Sequence, residues 1–218
     1  MERIPEPELM DEPGQAAAYA AADFTAPHTH FVELFRAAFG EVAGVALDLG
    51  CGPADVTIRF ARDQPRCRVH GVDGAAAMLA HGQEAVRRAR LDGRVQLIRG
   101  YLPGASLPQA RYDAVISNSL LHHLHEPMAL WTAVQAHARP GAPILVMDLM
   151  RPASRSEAEA MVARYAAGEP PVLQRDFFHS LLAAYRPAEV QAQLAQAGLA
   201  HLQVQTVSDR HLVVSGRA

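Results

Sequence analysis

Apolar and polar positions follow two alternating periods along this chain, and each change of period marks an element. Residues 45–49 form a short, nearly continuous apolar run, Val-Ala-Leu-Asp-Leu, that ends in Gly50-Cys51-Gly52. Similar runs lie at 67–72, 95–99, 112–117 and 142–149. Between them are segments with apolar residues three and four apart: 54–64, 75–90 (with Met78, Leu79, Ala85 and Val86 on one side) and 127–138. Strand alternating with helix predicts a parallel sheet covered on both faces through right-handed crossovers. The expected fold is therefore α/β, Rossmann-like and doubly wound.

The flanks of this alternation read differently. Residues 1–14 hold four glutamates, Asp11 and three prolines, and are expected to be a flexible arm. Residues 15–40 predict a helical cap. An alanine-rich helix covers 15–22, Pro27 interrupts, and a second helix over 28–39 aligns Phe31, Leu34, Phe35 and Ala38 before Gly40. After Leu149 the rhythm becomes polar and helical without a strand. Ser154 is placed to cap a helix running to Tyr165, Gly168, Pro170 and Pro171 end it, and Asp176-Phe177-Phe178-His179 opens another. Residues 150–186 therefore predict a lid-like insertion over the carboxyl edge of the sheet. A helix over 187–197 follows, with proline at its start and Gly198 at its end. Two strands over 202–207 and 211–215 are joined by a turn short enough to make them antiparallel. The whole of 15–218 reads as one domain.

Composition narrows the function more than the fold. Of the 218 residues half are hydrophobic, which suits a globular domain with its own core. A net charge of −3 gives no reason to expect a nucleic acid or an anionic membrane as partner. Two cysteines, Cys51 and Cys67, make no disulfide framework. With neither a basic, apolar leader nor a transmembrane run, a cytoplasmic location is expected. Oligomeric state is left open, a homodimer among the options.

The glycine loop carries the first chemical signal. Gly50 and Gly52 allow a sharp turn and close backbone approach to a ligand, and the following helix presents free N–H groups. The third glycine of a dinucleotide-binding fingerprint is absent, with Asp55 in its place, and the acid Asp48 precedes the loop. Both features point away from NAD and toward another adenosine ligand. Asp73, at the end of the second strand, can accept both hydroxyls of a ribose, or can simply cap the next helix.

As a set these motifs resemble the class I S-adenosylmethionine-dependent methyltransferases of the small-molecule type. The run from Val45 to Gly52 resembles the family's first motif, and Gly71-Val72-Asp73 its second. Residues 112–118, followed by Leu120-Leu121-His122-His123-Leu124, resemble the fourth-strand motif. Arg139-Pro140-Gly141 resembles the turn before the fifth strand, and residues 186–199 the late helix. The resemblance implies a seven-stranded sheet whose last strand is antiparallel. It also implies S-adenosyl-L-methionine as donor, with S-adenosyl-L-homocysteine as product.

By the same resemblance Gly50, Cys51 and Gly52 approach the donor, Asp48 stands near its amino group, and Asp73 takes the ribose. Gly74 and Met78 border the adenine, Asn118 lies near the sulfonium, and Ser119 is a further donor-binding residue. Tyr101 occupies a place where many members carry an acid for the adenine amino group. His122 and His123 are the candidates for catalysis, with His122 as general base for an acceptor that must lose a proton; lining the pocket is the alternative role. Tyr19, Phe24, Phe177, Phe178 and His179 are candidates for holding a small-molecule acceptor. Three histidines fall within residues 122–125, but with no cysteine or helical His-x-x-x-His pair beside them no metal is expected. Two other functions fit parts of the pattern: a non-catalytic donor-binding regulatory module, and an NAD-dependent oxidoreductase, which Asp48 and Asp55 disfavour.

Overall fold

In the computed structural model, which describes every residue except Glu8, Gly44–Leu49 forms the central strand β1. It pairs in parallel with β2 (Cys67–Asp73) on one side and β4 (Ala114–Asn118) on the other. Outside these lie β3 (Val95–Arg99) and β5 (Pro143–Leu149), both parallel to their neighbours. The strand β7 (His211–Arg217) then pairs antiparallel with β5 and with β6 (Gln203–Thr206). The seven described strands run in the order β3-β2-β1-β4-β5-β7-β6. The predicted doubly wound sheet with its antiparallel last strand is thus the observed one.

Both faces of the sheet are buried at its central strands, which explains their near-continuous apolar runs. Successive side chains leave a strand on opposite faces. Ala46, Ile116, Leu145 and Met147 pack with Phe31, Phe35 and Phe60 in one layer. Leu47, Leu49, Val115, Ile144 and Val146 pack with Tyr112, Leu130 and Trp131 in the other. The helices that cover these faces are α3 (Asp55–Asp63), α4 (Ala76–Arg88), α5 (Met128–His137) and α8 (Pro187–Gln196). Tyr112, expected in β4, lies outside it. It makes an isolated bridge to Ala138, its N–H bonded to the His137 carbonyl at 2.7 Å.

The cap is α1 (Pro13–Ala21) and α2 (Thr25–Phe39). Helix α2 begins before Pro27, because a proline in the first turn removes an N–H that no helical carbonyl would have received. The insertion is α6 (Arg155–Tyr165) and α7 (Pro171–Ala183). The Ser154 hydroxyl accepts the Glu157 N–H at 3.2 Å, the expected N-cap. Pro171 opens α7 rather than only ending its predecessor, for the same first-turn reason, so α7 starts earlier than the sequence pattern suggested. No described helix is long and apolar enough to cross a membrane.

The segment before α1, expected as a flexible arm, runs along the carboxyl edge of the sheet. Ile4 donates its N–H to the Leu182 carbonyl at 3.1 Å. The Arg3 guanidinium donates to the carbonyls of Ala183, His122 and Leu124 at 2.5, 2.9 and 3.0 Å, and its carbon sits 4.1 Å from the centre of the Tyr185 ring.

Candidate active site

A cavity of about 710 Å³ opens at the carboxyl ends of β1, β2 and β4. This is where a doubly wound sheet binds ligands, around the strand at which the order reverses. The size suits a small organic ligand.

The loop after β1 turns at Gly50, whose φ is +73° and where a Cβ would come within 2.8 Å of Leu120. The N–H groups of Gly50 and Cys51 both reach the Val72 carbonyl, at 2.8 and 3.1 Å, which fixes the loop against β2. Gly71 makes room for it: a Cβ there would stand 2.9 Å from the Cβ and Sγ of Cys51.

Two carboxylates frame this loop. Asp48 is buried, and its Oδ2 accepts the Thr57 hydroxyl at 2.6 Å. Burial pushes its carboxyl up to about 7, against the opposing pull of that hydrogen bond. Asp73 accepts the Gly52 N–H on Oδ2 and the Ala75 N–H on Oδ1, each at 2.8 Å. Burial raises its pKa above the ordinary carboxylate value, and the backbone N–H bonds work against that rise. The capping role and a site-facing position therefore coexist, since each oxygen keeps a second lone pair.

At the end of β4, Asn118 donates from Nδ2 to the Ser119 hydroxyl at 3.2 Å, while its Oδ1 is buried without a partner. Ser119 adopts φ +55°, a conformation costly for a side-chain-bearing residue and often found where a ligand site demands it. All ten donor-site candidates (Asp48, Gly50, Cys51, Gly52, Asp73, Gly74, Met78, Tyr101, Asn118 and Ser119) line this one cavity.

Among the acceptor candidates, Tyr19 and Phe24 line the cavity as a tilted ring pair with centroids 4.7 Å apart. Phe177, Phe178 and His179 do not. Phe177 and Phe178 pack with Leu149, Ala158 and Leu181 in the insertion's own small core, and the Arg155 guanidinium covers the Phe178 ring. Their apolar pairing holds α7 against α6, the packing role open to any such pair.

Of the two candidate catalytic histidines, His123 borders the cavity and His122 stands behind it, 3 % exposed. Both lie on the single-turn helix Leu121–His123. His122 Nδ1 is 2.5 Å from Asp148 Oδ1. Burial lowers the pKa of His122, but the Asp148 carboxylate more than reverses this, leaving it above the ordinary imidazole value. In return His122 holds the buried Asp148 below the usual carboxylate range despite burial. His123, desolvated and beside His122, is pushed down to about 3.

Several cavity residues escaped the sequence reading. Leu9 and Met10 reach in from the arm. His28, Asp55 and Arg59 form a polar wall in which the Asp55 carboxylate meets His28 Nδ1 and Arg59 Nε, both at 2.7 Å. The local signal for this wall was the Asp55–Arg59 spacing of one helical turn. For the arm no local signal existed.

The fold is that of the class I S-adenosylmethionine-dependent methyltransferases. Residues 46–141 match the family described as "Methyltransferase domain". A solved S-adenosylmethionine-dependent methyltransferase from Aquifex aeolicus superposes with a TM-score of 0.68 at 18 % identity, covering 94 % of this chain and 98 % of that one. Among curated relatives, an uncharacterized methyltransferase of Mycobacterium tuberculosis is 29 % identical over 122 residues, 56 % of this chain and 59 % of that protein. A trans-aconitate 2-methyltransferase from Variovorax paradoxus is 30 % identical over 138 residues, 63 % of this chain and 49 % of that protein. The matched region thus spans about half the length of these curated relatives.

Proposed function

We propose that this protein moves a methyl group from S-adenosylmethionine to a small-molecule acceptor and releases S-adenosylhomocysteine. The observation that carries the reading is the convergence of the ten donor-site residues on one cavity, with Asp48 and Asp73 at the carboxyl ends of adjacent strands. Asp73 takes the ribose hydroxyls on the lone pairs that Gly52 and Ala75 leave free. Asp48 stands by the donor's amino group. Tyr101 and Leu9 close over Gly74, where a Cβ would meet both at 2.9 Å, and with Met78 they flank the adenine. Asn118, with its unpartnered Oδ1, faces the sulfonium end.

The sulfonium already carries a good leaving group, so alignment supplies most of the acceleration. Tyr19 and Phe24 offer the acceptor an apolar wall. If the acceptor must lose a proton, His122 is the base: Asp148 holds its Nδ1–H and leaves Nε2 as the basic nitrogen. Glu6 stands 3.6 Å from Nε2, so the arm must withdraw for an acceptor to reach it. A carboxylate acceptor, of the kind named for the trans-aconitate relatives, is ionised at neutral pH and needs no base.

The test is calorimetry with S-adenosylhomocysteine and NADH, followed by turnover on a panel of small hydroxyl, thiol and carboxylate acceptors. Binding of the first ligand and not of the second, with methyl transfer to a panel member, is the expected result. Donor binding without any turnover would favour a regulatory module, and NADH binding would overturn the reading. His122→Ala should abolish turnover on a hydroxyl or thiol and spare it on a carboxylate.

A further inference from the structure

Behind the donor cavity, one cluster of side chains has no complete hydrogen-bond account. Glu6 Oε1 lies 3.6 Å from His122 Nε2 and 3.4 Å from His123 Nδ1. These are not hydrogen bonds, since a charge-assisted N–H···O contact closes to about 2.7–2.9 Å. Glu6 Oε1 and His123 Nδ1 are both buried without a partner. Left so, each has lost its water without a bond to replace it.

The spacing is that of ligands around a cation. With bonds of about 2.0–2.2 Å, neighbours in a tetrahedral shell stand roughly 3.3–3.6 Å apart. One ligand atom from each of Glu6, His122 and His123 lies within 4.8 Å of the other two.

On His122 and Glu6 the atom not facing this point is already engaged. His122 Nδ1 meets Asp148 Oδ1, and the Ser180 hydroxyl donates to Glu6 Oε2 at 3.3 Å. Metal-bound histidines and carboxylates are characteristically oriented by partners of this kind. Ordinary ligand spacing in the sequence gives no hint of the site, because its carboxylate comes from the arm.

We infer that Glu6, His122 and His123 form a binding site for one divalent first-row transition metal, with zinc the reference ion. Two imidazole nitrogens and one carboxylate oxygen suit zinc better than magnesium or calcium, which prefer all-oxygen shells. His123 also borders the cavity, so a fourth ligand can approach from that side. The ion ties the arm to the carboxyl edge independently of the Arg3 contacts. The site does not depend on the methyl-transfer reading. As a ligand His122 uses the lone pair that a base would need, so one molecule does not do both.

The test uses the full chain, free of any histidine tag and stripped with a chelator, titrated with cobalt(II) and then competed with zinc. Expected are one equivalent of cobalt per chain with the intense visible bands of four-coordinate geometry, its displacement by zinc, and a melting temperature that rises with zinc. Glu6→Gln should weaken binding at least about 100-fold, and Asp148→Asn about 10–100-fold. His201→Ala, a distant exposed histidine, should leave binding unchanged. Failure of the wild-type chain to take up a stoichiometric equivalent of either metal would overturn the site. So would metal binding that folded Glu6→Gln and His123→Ala variants retain in full, and the cluster would then be a protonated Glu6 packed against two imidazoles.

Discussion

The carboxylate of Asp73 accepts the backbone N–H of Gly52 at 2.8 Å, joining the end of β2 to the loop that follows β1. One side chain thus sets the shape of the loop and presents free lone pairs to the cavity. Asp73→Ala should therefore weaken S-adenosylhomocysteine binding about 10-fold or more, since a hydrogen bond to a charged group is worth about 1.5–3 kcal/mol. Asp73→Asn keeps one acceptor oxygen and should fall between the two. Calorimetry on folded variants measures both, and an unchanged Kd for Asp73→Ala would remove Asp73 from the site.

Asp48 gives the binding reaction a proton signature. Burial holds its carboxyl up to about 7, so near neutrality a large share of free protein carries the proton. On the proposed function, the ammonium group of a bound donor stands beside it, favours the carboxylate and expels that proton. Binding should release protons near pH 7, and affinity should strengthen as pH rises from about 6 to 8. Calorimetry in buffers of different ionisation enthalpy reads the release, and Asp48→Asn should abolish it.

His211 sets part of the acid limit of stability. Burial, then the neighbouring Arg210, lower its pKa to about 4. A histidine depressed in the folded state stabilises it above the unfolded pKa near 6.5, and that contribution is lost as pH falls from about 6.5 to about 4. The slope is at most about 1.4 kcal/mol per pH unit for this one group. Denaturant titrations between pH 4 and 7 should show the loss, and a shallower slope in His211→Gln.

Gly71 leaves no room for a side chain beneath the glycine loop. Gly71→Ala places a Cβ 2.9 Å from Cys51 and 3.0 Å from Leu97, in a strand hydrogen-bonded on both sides. Overpacking of this kind costs about 1–3 kcal/mol. Urea unfolding should show a lower midpoint at unchanged slope, together with weaker donor binding as the glycine loop shifts.

Arg3 fixes the arm through planar geometry. Arg3→Lys keeps the charge but cannot span three carbonyls while stacking on Tyr185. Hydrogen exchange at the Ile4 amide, which is bonded to Leu182, should accelerate at least about 10-fold, while amides of β1 keep their protection.

What was legible in the sequence was what chain neighbours decide. The strands announce themselves through local apolar runs, and Asp48 and Asp73 are legible because each sits a fixed step from a glycine turn. Tyr101 could be placed in the cavity by its position after β3. Glu6 could not, because its partners His122 and His123 lie more than a hundred residues further on and no periodicity connects them. Phe177 and Phe178 show the opposite case: an aromatic pair fits a ligand wall and a helix interface equally well, and only the fold decides between them.

The arm brings Leu9 and Met10 to the cavity, and Arg3 is its clasp. Whatever unfastens Arg3 also takes part of the wall away. On the proposed function, opening of the clasp should set the residence time of a donor product as much as the contacts at Asp73 do. A variant that loosens the arm without touching the loop should speed product departure more than it weakens equilibrium binding, so the slowest step of a catalytic cycle can lie far in sequence from the atoms that react.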